Sequence, residues 1–206
     1  MLPGMAEPKP EKSRREEYAE ATRQALLSVA RDIFAREGYQ AAGIEAIARA
    51  ARVTRGAFYH HFEDKKALFD AVVVLLQAEA AAGIEQKAKA QRKIWDRLSV
   101  GIDAYLDACL EPAYGRIVIQ EAPAVLGNAR CQEIEEAYPM ALLIATLNAL
   151  KRDGELDFED IDLLGRIVDA MICQVALMLP EADDPKKLRA RGQKIIGSLL
   201  GVYRRT

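Results

Sequence analysis

Apolar residues recur along the chain every three or four positions, which is the spacing of amphipathic helices. The strict alternation typical of strands is nearly absent; only residues 116–119, Arg-Ile-Val-Ile, look strand-like, and their context is helical. We predict long helices over residues 16–37, 64–86, 93–110, 129–152, 158–179 and 185–203. A short helix should run from Pro112 to about residue 120, residues 121–128 should break it, and Pro139 should kink the helix that contains it. The pattern predicts an all-α fold.

Two short helical patterns lie close together in residues 44–66. The first places Ile44, Ile47, Ala48 and Ala51 on one face, and the second has Phe58 and Phe62 four residues apart. Thr54 precedes the second helix and has the side-chain oxygen of a good helix cap. That helix is barely two turns long, so it needs neighbours packed against its aromatic residues to persist. The pattern predicts a helix-turn-helix.

The outward side of the second helix carries Arg55, Tyr59, His60 and His61, and Lys65 follows. These side chains are hydrogen-bond donors and flat rings on an element short enough to enter a major groove. A helical corner with a solvated face would show the same residues, because this shape also occurs in proteins with other roles. The chemistry of the residues leaves both interpretations open.

Residues 18–74 resemble the DNA-binding region of TetR/AcrR-type transcriptional repressors. The residues that carry the resemblance are Ile47, Ala48, Ala51, Val53, Thr54, Gly56, Phe58, Tyr59, His61, Phe62, Lys65, Ala67, Leu68 and Phe69. Two positions depart from the family pattern, since Arg52 replaces a usual Gly and Gly43 a usual Thr. Arg52 stands where a left-handed backbone is common, which is unfavourable by roughly 1 kcal/mol for a non-glycine residue. Gly43 is a helix cap only a few tenths of a kcal/mol weaker than Thr.

The resemblance implies a three-helix DNA-binding domain over residues 16–70, joined by a long helix to a helical ligand-binding and dimerisation domain over residues 71–206. Residues 1–15, rich in proline and charge, should form a disordered tail. The implied function is that of a dimeric repressor, released from a near-palindromic double-stranded DNA operator by a small-molecule effector. The residues predicted to contact DNA are Gly43, Thr54, Arg55, Gly56, Ala57, Tyr59, His60, His61 and Lys65. Of these, Tyr59 and Lys65 match family positions that touch phosphates.

Residues 72–76, Val-Val-Val-Leu-Leu, are apolar on every side of their predicted helix. A helix buried on all sides packs against two parts of the protein at once, so this run should connect the two domains. The last two helices have apolar residues near heptad spacing, and the final one contains Gly192, Gly197 and Gly201, which favours close approach of another helix. The predicted dimer interface consists of Ile167, Met171, Val175, Leu188, Ile195 and Leu199. An ordinary core within one chain is the alternative.

Some polar or polarisable residues of the second domain lie on mainly apolar faces, as they do in small-molecule sites. The candidate effector contacts are Tyr105, Tyr114, Gln120, Met140 and Gln174. Taken singly, a residue of this kind is more often a satisfied core residue than a ligand contact, and the resemblance names no ligand.

Composition narrows the remaining classes of function. The net charge is −2, and residues 1–70 hold 12 Lys/Arg against 11 Asp/Glu, so DNA binding must come from a local basic patch. Both histidines lie inside the helix-turn-helix and no phosphate loop or HExxH motif occurs, which disfavours an enzyme. A helical interaction module that does not bind DNA is the other alternative.

The three cysteines, Cys109, Cys131 and Cys173, are odd in number and far apart, without metal-site spacing. We expect free thiols, no metal and no cofactor. No apolar run approaches the ~20 residues that span a bilayer, and no signal-peptide core is visible, so we expect a cytoplasmic protein without a membrane partner.

Overall fold

The computed structural model describes residues 13–205, and every regular element in this range is helical. The predicted all-α fold is confirmed. The elements in chain order are α1 (Arg14–Glu37), α2 (Ile44–Ala50), α3 (Arg55–His61), α4 (Lys65–Lys89), α5 (Ile94–Leu110), α6 (Pro112–Tyr114), a π-helical segment (Gly115–Glu121), α7 (Ala122–Leu126), α8 (Asn128–Ala137), α9 (Pro139–Arg152), α10 (Ile161–Met178), a 3₁₀ turn (Leu179–Glu181) and α11 (Pro185–Gly201).

Caps on the helices of the N-terminal domain lie where the sequence predicts them. The Thr54 hydroxyl oxygen accepts a hydrogen bond from the backbone N–H of Ala57 at 3.1 Å, and the Asp64 carboxylate accepts one from Ala67 at 2.7 Å. Gly38, which ends α1, has a φ of 85°, a backbone conformation that is strained for a residue with a side chain. These local signals separate α1, α2, α3 and α4.

The start of α1 differs slightly from the predicted domain boundary at residue 16. Residues 1–12 of the predicted tail lie outside the described residues. The backbone N–H of Ser13 donates to the Glu16 carboxylate at 2.7 Å, and the Ser13 hydroxyl accepts from the N–H of Glu16 at 3.3 Å. This capping box starts the helix at Arg14, so the last residues of the predicted tail are structured.

α4 forms a wall of the hydrophobic core in both domains. Phe69, near its start, is fully buried and packs edge-on against Phe34 of α1, with ring centroids 5.1 Å apart. Farther along α4, Val72, Val73 and Leu76 are buried, and no side chain of residues 72–76 is exposed. The prediction of a connecting helix packed on two sides is confirmed.

Two prolines act differently from the sequence prediction. In place of one kinked helix over residues 129–152, the structure has α8 and α9, separated at Tyr138 (φ −123°, ψ −95°), with Pro139 in the first turn of α9. Pro123 likewise lies in the first turn of α7, and the break comes later, at Gly127 with a φ of 90°. Proline is well placed in a first turn because its missing N–H would have no helical partner there.

The π-helical segment, strand-like in sequence, reaches the C-terminal end of α1. The Arg116 guanidinium donates to the carbonyl oxygens of Ala35 and Arg36 at 3.2 and 2.8 Å. The Glu121 carboxylate accepts from the N–H of Tyr39 at 2.8 Å and lies 3.4 Å from Arg116 Nε. We call Arg116 and Glu121 the clasp. It satisfies carbonyls that a helix end leaves unpaired, and it joins the domains at a second point besides α4.

Within residues 13–205, α4 and α10 with its 3₁₀ turn are long and apolar enough to cross a membrane, which the sequence analysis did not foresee. The most apolar 18-residue stretch of α4 is 39% buried within the protein, and that of residues 161–181 is 33% buried. Core packing thus accounts for part of this apolar character, and length and composition by themselves are weak evidence for a membrane span.

We expect Gly38→Ala to destabilise the protein by roughly 1–3 kcal/mol, because alanine is strained at a positive φ and its Cβ would collide with the clasp. A Cβ at Gly38 would lie 2.5 Å from a Glu121 carboxylate oxygen and 2.7 Å from Arg116 Nη2. Urea unfolding measures the change. The matched control is Gly83→Ala in α4, where a Cβ meets nothing within 4 Å and should be neutral or stabilising. Equal unfolding free energies for the two variants would contradict a structural role for the clasp.

Candidate DNA-binding surface and effector cavity

Aromatic packing holds α3 against the rest of the N-terminal domain. Phe58 is fully buried, Phe62 is nearly so, and their ring centroids lie 6.0 Å apart. The Arg23 guanidinium of α1 lies 4.6 Å from the Phe62 ring centroid, within the range of a cation–π contact. A helix of two turns is therefore positioned by its neighbours, with Arg55, Tyr59 and His60 left exposed.

The turn between α2 and α3 contains Arg52 at a φ of 58°, the one non-glycine with a positive φ between residues 13 and 205. This confirms the left-handed conformation predicted at that position. The N–H of Val53 donates to the carbonyl of Ala48 at 2.9 Å and closes the turn. The Arg52 side chain is exposed, so the strained residue adds a positive charge beside α3.

The exposed side of α3 carries Gly56, Tyr59 and His60. Arg55 is also exposed, but its guanidinium pairs with Glu45 of α2 at 3.0 Å and lies 5.7 Å from the Tyr59 ring centroid. Side chains this exposed form weak ion pairs, so Arg55 can exchange Glu45 for another acceptor at little cost. The pair holds Arg55 beside Tyr59 on the outer side of α3.

His61 is half-buried at the end of α3. Burial lowers the pKa of His61 below its usual value, and the neighbouring charges of His60 and Arg23 lower it further. The ring is therefore neutral at pH 7, with one nitrogen that donates a hydrogen bond and one that accepts.

Lys65 has a role in the fold that the sequence did not predict. Its ammonium donates to the carbonyl oxygens of Tyr39, Gln40 and Ala42 at 2.8, 3.3 and 3.0 Å, and lies 4.4 Å from the Tyr39 ring centroid. An ammonium has three N–H groups, so these carbonyls use all of them. Lys65 thus ties the loop between α1 and α2 to the start of α4. The phosphate contact predicted for Lys65 requires it to leave this site, whereas Lys66 is exposed beside it.

A cavity of about 230 Å³ lies in the C-terminal domain between α4, α5, α9 and α10. Most of the lining side chains are apolar, and Tyr105 and Asp169 contribute polar groups. Exposed Glu85, Lys89 and Arg97 also belong to the lining. An apolar cavity with a few placed polar groups is the usual form of a small-molecule site.

Of the predicted effector residues, Tyr105 and Tyr114 pack edge-on with ring centroids 6.2 Å apart, and the others lie elsewhere. Tyr105 lines the cavity. Tyr114 and Met140 are buried outside its lining, and Gln120 and Gln174 are exposed on the surface. Contacts of these last four residues with an effector stay predictions, because helical spacing identifies an apolar face without showing which neighbouring helix covers it.

Asp169 belongs to a cluster of side chains that the sequence analysis missed. One carboxylate oxygen each of Glu135 and Asp169 and the Sγ of Cys173 all lie within 4.8 Å of one another. The Cys173 thiol and the Tyr105 hydroxyl each donate to the same Glu135 oxygen at 3.2 Å. Burial raises the pKa of the Cys173 thiol, which therefore keeps its proton. All three cysteines, Cys109, Cys131 and Cys173, are free, as predicted.

Comparison with known proteins assigns the family. Residues 95–202, about half of the chain, match the model of the tetracyclin repressor-like C-terminal domain, and residues 26–72 match that of the bacterial regulatory proteins of the tetR family. The chain belongs to the TetR family. The Tn10 TetC protein of Escherichia coli is 29% identical to it over 193 residues, which are 94% of each protein.

Solved structures of the TetR family share the fold. A TetR-family regulator from Pectobacterium atrosepticum, 29% identical, superposes with a TM-score of 0.80 over 95% of this chain and 99% of its own. RolR in complex with resorcinol, 20% identical, superposes with a TM-score of 0.72 over 91% of each chain. The protein is thus a TetR-family DNA-binding transcriptional regulator, with an N-terminal helix-turn-helix and a C-terminal ligand-binding domain.

In this TetR-family chain, α10 and α11 expose apolar residues on their outer sides. The exposed residues are Leu163, Ile167, Leu177, Met178, Ile195, Leu199 and, directly after α11, Val202, each 48–77% accessible. Of the predicted interface, Ile167, Ile195 and Leu199 lie in this set, whereas Met171, Val175 and Leu188 are half-buried against the core of their own chain.

The glycines of α11 divide in the same way between the inner and outer sides of the helix. A Cβ at Gly192 would lie 2.7 Å from a methyl carbon of Val175, so this close approach is within the chain. A Cβ at Gly197 or Gly201 would meet nothing within 4 Å. Only the last two glycines leave space on the outside for a partner helix.

Two neighbouring lysines allow a test of the phosphate contact. We expect Lys66→Met to reduce the slope of log operator affinity against log salt by about one unit, as loss of one phosphate contact does. Lys65→Met should lower the unfolding free energy, because it leaves three carbonyls without their ammonium. Operator titrations at several salt concentrations, together with urea unfolding, check both. An unchanged stability of Lys65→Met would show that the carbonyl contacts do not stabilise the fold.

Proposed function

We propose that this protein is a homodimeric repressor that leaves a near-palindromic operator when a small molecule enters the cavity between α4, α5, α9 and α10. The observation that carries the proposal is the course of α4. Ile84 and Ala88 of α4 line the cavity, and the other end of the same helix packs against α1 through Phe69. A ligand among these helices therefore contacts the element that positions the DNA-binding domain. We further infer that the protein acts in the cytoplasm.

The outward side of α3 supports its entry into a major groove. Gly56 is exposed, and a Cβ there would make only an ordinary contact, at 3.9 Å from the Thr54 hydroxyl oxygen. Packing within the chain does not require a glycine at this position, but close approach of DNA would. Arg55, once released from Glu45, can bind guanine through two hydrogen bonds, and exposed Tyr59 can reach the backbone.

The operator provides the direct test of this function. Selection of bound sequences from random duplexes should return two inverted half-sites with centres one helical turn, about 10 base pairs, or a multiple of it apart. Arg55→Ala should relax the preference at guanine positions, at roughly 1–3 kcal/mol each. Failure of the wild-type protein to enrich any sequence at low salt would favour a helical interaction module instead.

A dimer formed through the outer sides of α10 and α11 explains their exposed apolar residues. We expect Leu199→Glu to dissociate the dimer, because it would bury a carboxylate in the interface, and to abolish tight operator binding with it. Sedimentation at micromolar concentration measures the mass. Ala190→Glu is the matched control, since Ala190 is exposed on α11 outside the apolar set. A dimer that survives Leu199→Glu would remove this interface.

Two contacts offer routes from the cavity to the DNA-binding domain in addition to α4 itself. Glu135 of α8 touches Tyr105 of the cavity lining, and Arg130 of the same short helix holds the Asp70 carboxylate of α4 with two hydrogen bonds, at 2.7 and 3.0 Å. The clasp provides the second route, to the end of α1. Packed helices shift as rigid bodies between discrete arrangements, so movement of α8 would be passed to α4 through Arg130.

Hydrogen exchange tests the α8 route without knowledge of the effector. We expect operator binding to change amide exchange in α8 and in the π-helical segment, although neither lies in the DNA-binding domain, because coupling between sites is reciprocal. Arg130→Ala should diminish the response in α8. The control Arg152→Ala removes an exposed arginine of α9 and should leave the response intact. Operator binding without any effect on α8 exchange would contradict this route.

A further inference from the structure

We propose that the cavity takes up a hydrophobic organic monocation, whose positive charge is held by the carboxylate of Asp169. This assignment rests on the proposed function, because it names the chemical class of the effector. It is carried by the apolar walls of the cavity, by its size, and by the pairing of every other polar side chain of its lining.

The walls and the volume select a small hydrophobic molecule. Leu98 and Ile102 of α5, Leu142 and Leu143 of α9 and Ile172 of α10 contribute apolar side chains. An apolar cavity of about 150 Å³ accommodates benzene. The cavity here, about 230 Å³, has room for a ring with a compact substituent.

Asp169 is the polar side chain of the lining that has no hydrogen-bond or ion-pair partner among residues 13–205. The other polar side chains have partners: Glu85 pairs with Lys89, Arg97 donates to the carbonyl of Gln91, Thr146 to that of Leu142, and Tyr105 to the carboxylate of Glu135. A half-buried carboxylate without a partner gains more from a bound cation than any paired group of the lining would.

The charged groups near Asp169 leave its negative charge uncompensated. Glu135 of α8 adds a second carboxylate, and Arg166, one turn away on α10, is bound by Glu136 at 2.8 Å. Tyr105 and Cys173 are neutral donors, and both donate to Glu135. Burial and the charge of Glu135 raise the pKa of Asp169 to about 7, while Arg166 opposes the shift only in part.

The raised pKa sets the expected direction of the pH dependence. Asp169 is largely neutral at pH 6 and largely ionised at pH 8. A permanent cation binds the ionised form, so its affinity should increase by about tenfold across this range, and binding should release a proton. A carboxylate ligand would show the opposite trend, because it is repelled by ionised Asp169 and by Glu135.

A divalent metal ion fits the cluster less well than an organic cation does. A metal ion bound here would have to displace the proton of Cys173, and burial makes that proton harder to remove by raising the pKa of the thiol. Asp169 also faces a cavity whose apolar side chains would contact nothing if only an ion were bound. An organic monocation satisfies the carboxylate and fills the apolar space together.

The experiment compares phenyltrimethylammonium with its neutral carbon isostere, tert-butylbenzene, and with the anion phenylacetate. Dissociation constants of the wild-type protein are measured by ligand-observed NMR at pH 6, 7 and 8. At pH 8 we expect the cation to bind at least about tenfold more tightly than either of the others, which is about 1.4 kcal/mol. We also expect its affinity to increase from pH 6 to pH 8.

Two variants locate the charge that matters. Asp169→Asn should lower the affinity for phenyltrimethylammonium about tenfold and leave that for tert-butylbenzene within a factor of two to three. Asp162→Asn removes an exposed carboxylate from the same helix and should change neither. The pH series on the wild-type protein decides the question independently if Asp169→Asn does not fold.

The outcomes separate this inference from the proposed function. Equal affinities for the cation and the isostere, tighter binding of phenylacetate, or unchanged cation affinity in Asp169→Asn each overturn the monocation assignment. Operator affinity is measured in parallel with and without phenyltrimethylammonium. Absence of operator binding by the unliganded wild type overturns the proposed function, whereas the charge preference of the cavity is still decided by NMR. Cation binding that leaves operator affinity unchanged overturns the cation as effector.

Discussion

The structure depends on the burial of α4 on two sides. Its first turns, with Phe69, complete the core under the helix-turn-helix, and its last turns, with Ile84, form a wall of the cavity. In its middle, residues 72–76 are apolar and none of their side chains is exposed, so both domains can pack on this part of the helix without leaving apolar surface exposed. The same arrangement gives the DNA-binding domain and the candidate effector cavity a common rigid element.

Polar contacts surround this apolar connection and restrict how the domains are oriented on it. The clasp holds the C-terminal end of α1 and Arg130 holds Asp70, whereas within the N-terminal domain Lys65 binds three carbonyls of the loop before α2. Hydrogen bonds of this kind are satisfied in one arrangement and lost in most others, because partly buried donors and acceptors are costly to leave unpaired. Two packed domains joined in this way favour discrete relative positions over continuous flexing.

The candidate site was predictable from the sequence only where its signal is local. Thr54 and Asp64 could be assigned as caps because a cap bonds to an amide three residues away, and Phe58 and Phe62 as anchors because they are four apart. Arg52 could be placed in a left-handed turn from a single departure in a familiar pattern. The cavity had no such signal, since Asp169 and Tyr105 belong to different helices whose contact appears only on folding.

The sequence by itself determined the helical class, the helix-turn-helix and the family, because helix periodicity, caps and a gapless motif are all short-range properties of the chain. The tertiary structure decided which apolar faces meet. It placed Val175 against Gly192 within the chain and left Leu199 outside, turned Lys65 inward, and placed Tyr105 in the cavity lining but Gln120 and Gln174 on the surface. Helical spacing identifies an apolar face, but its partner is chosen by packing between helices far apart in sequence.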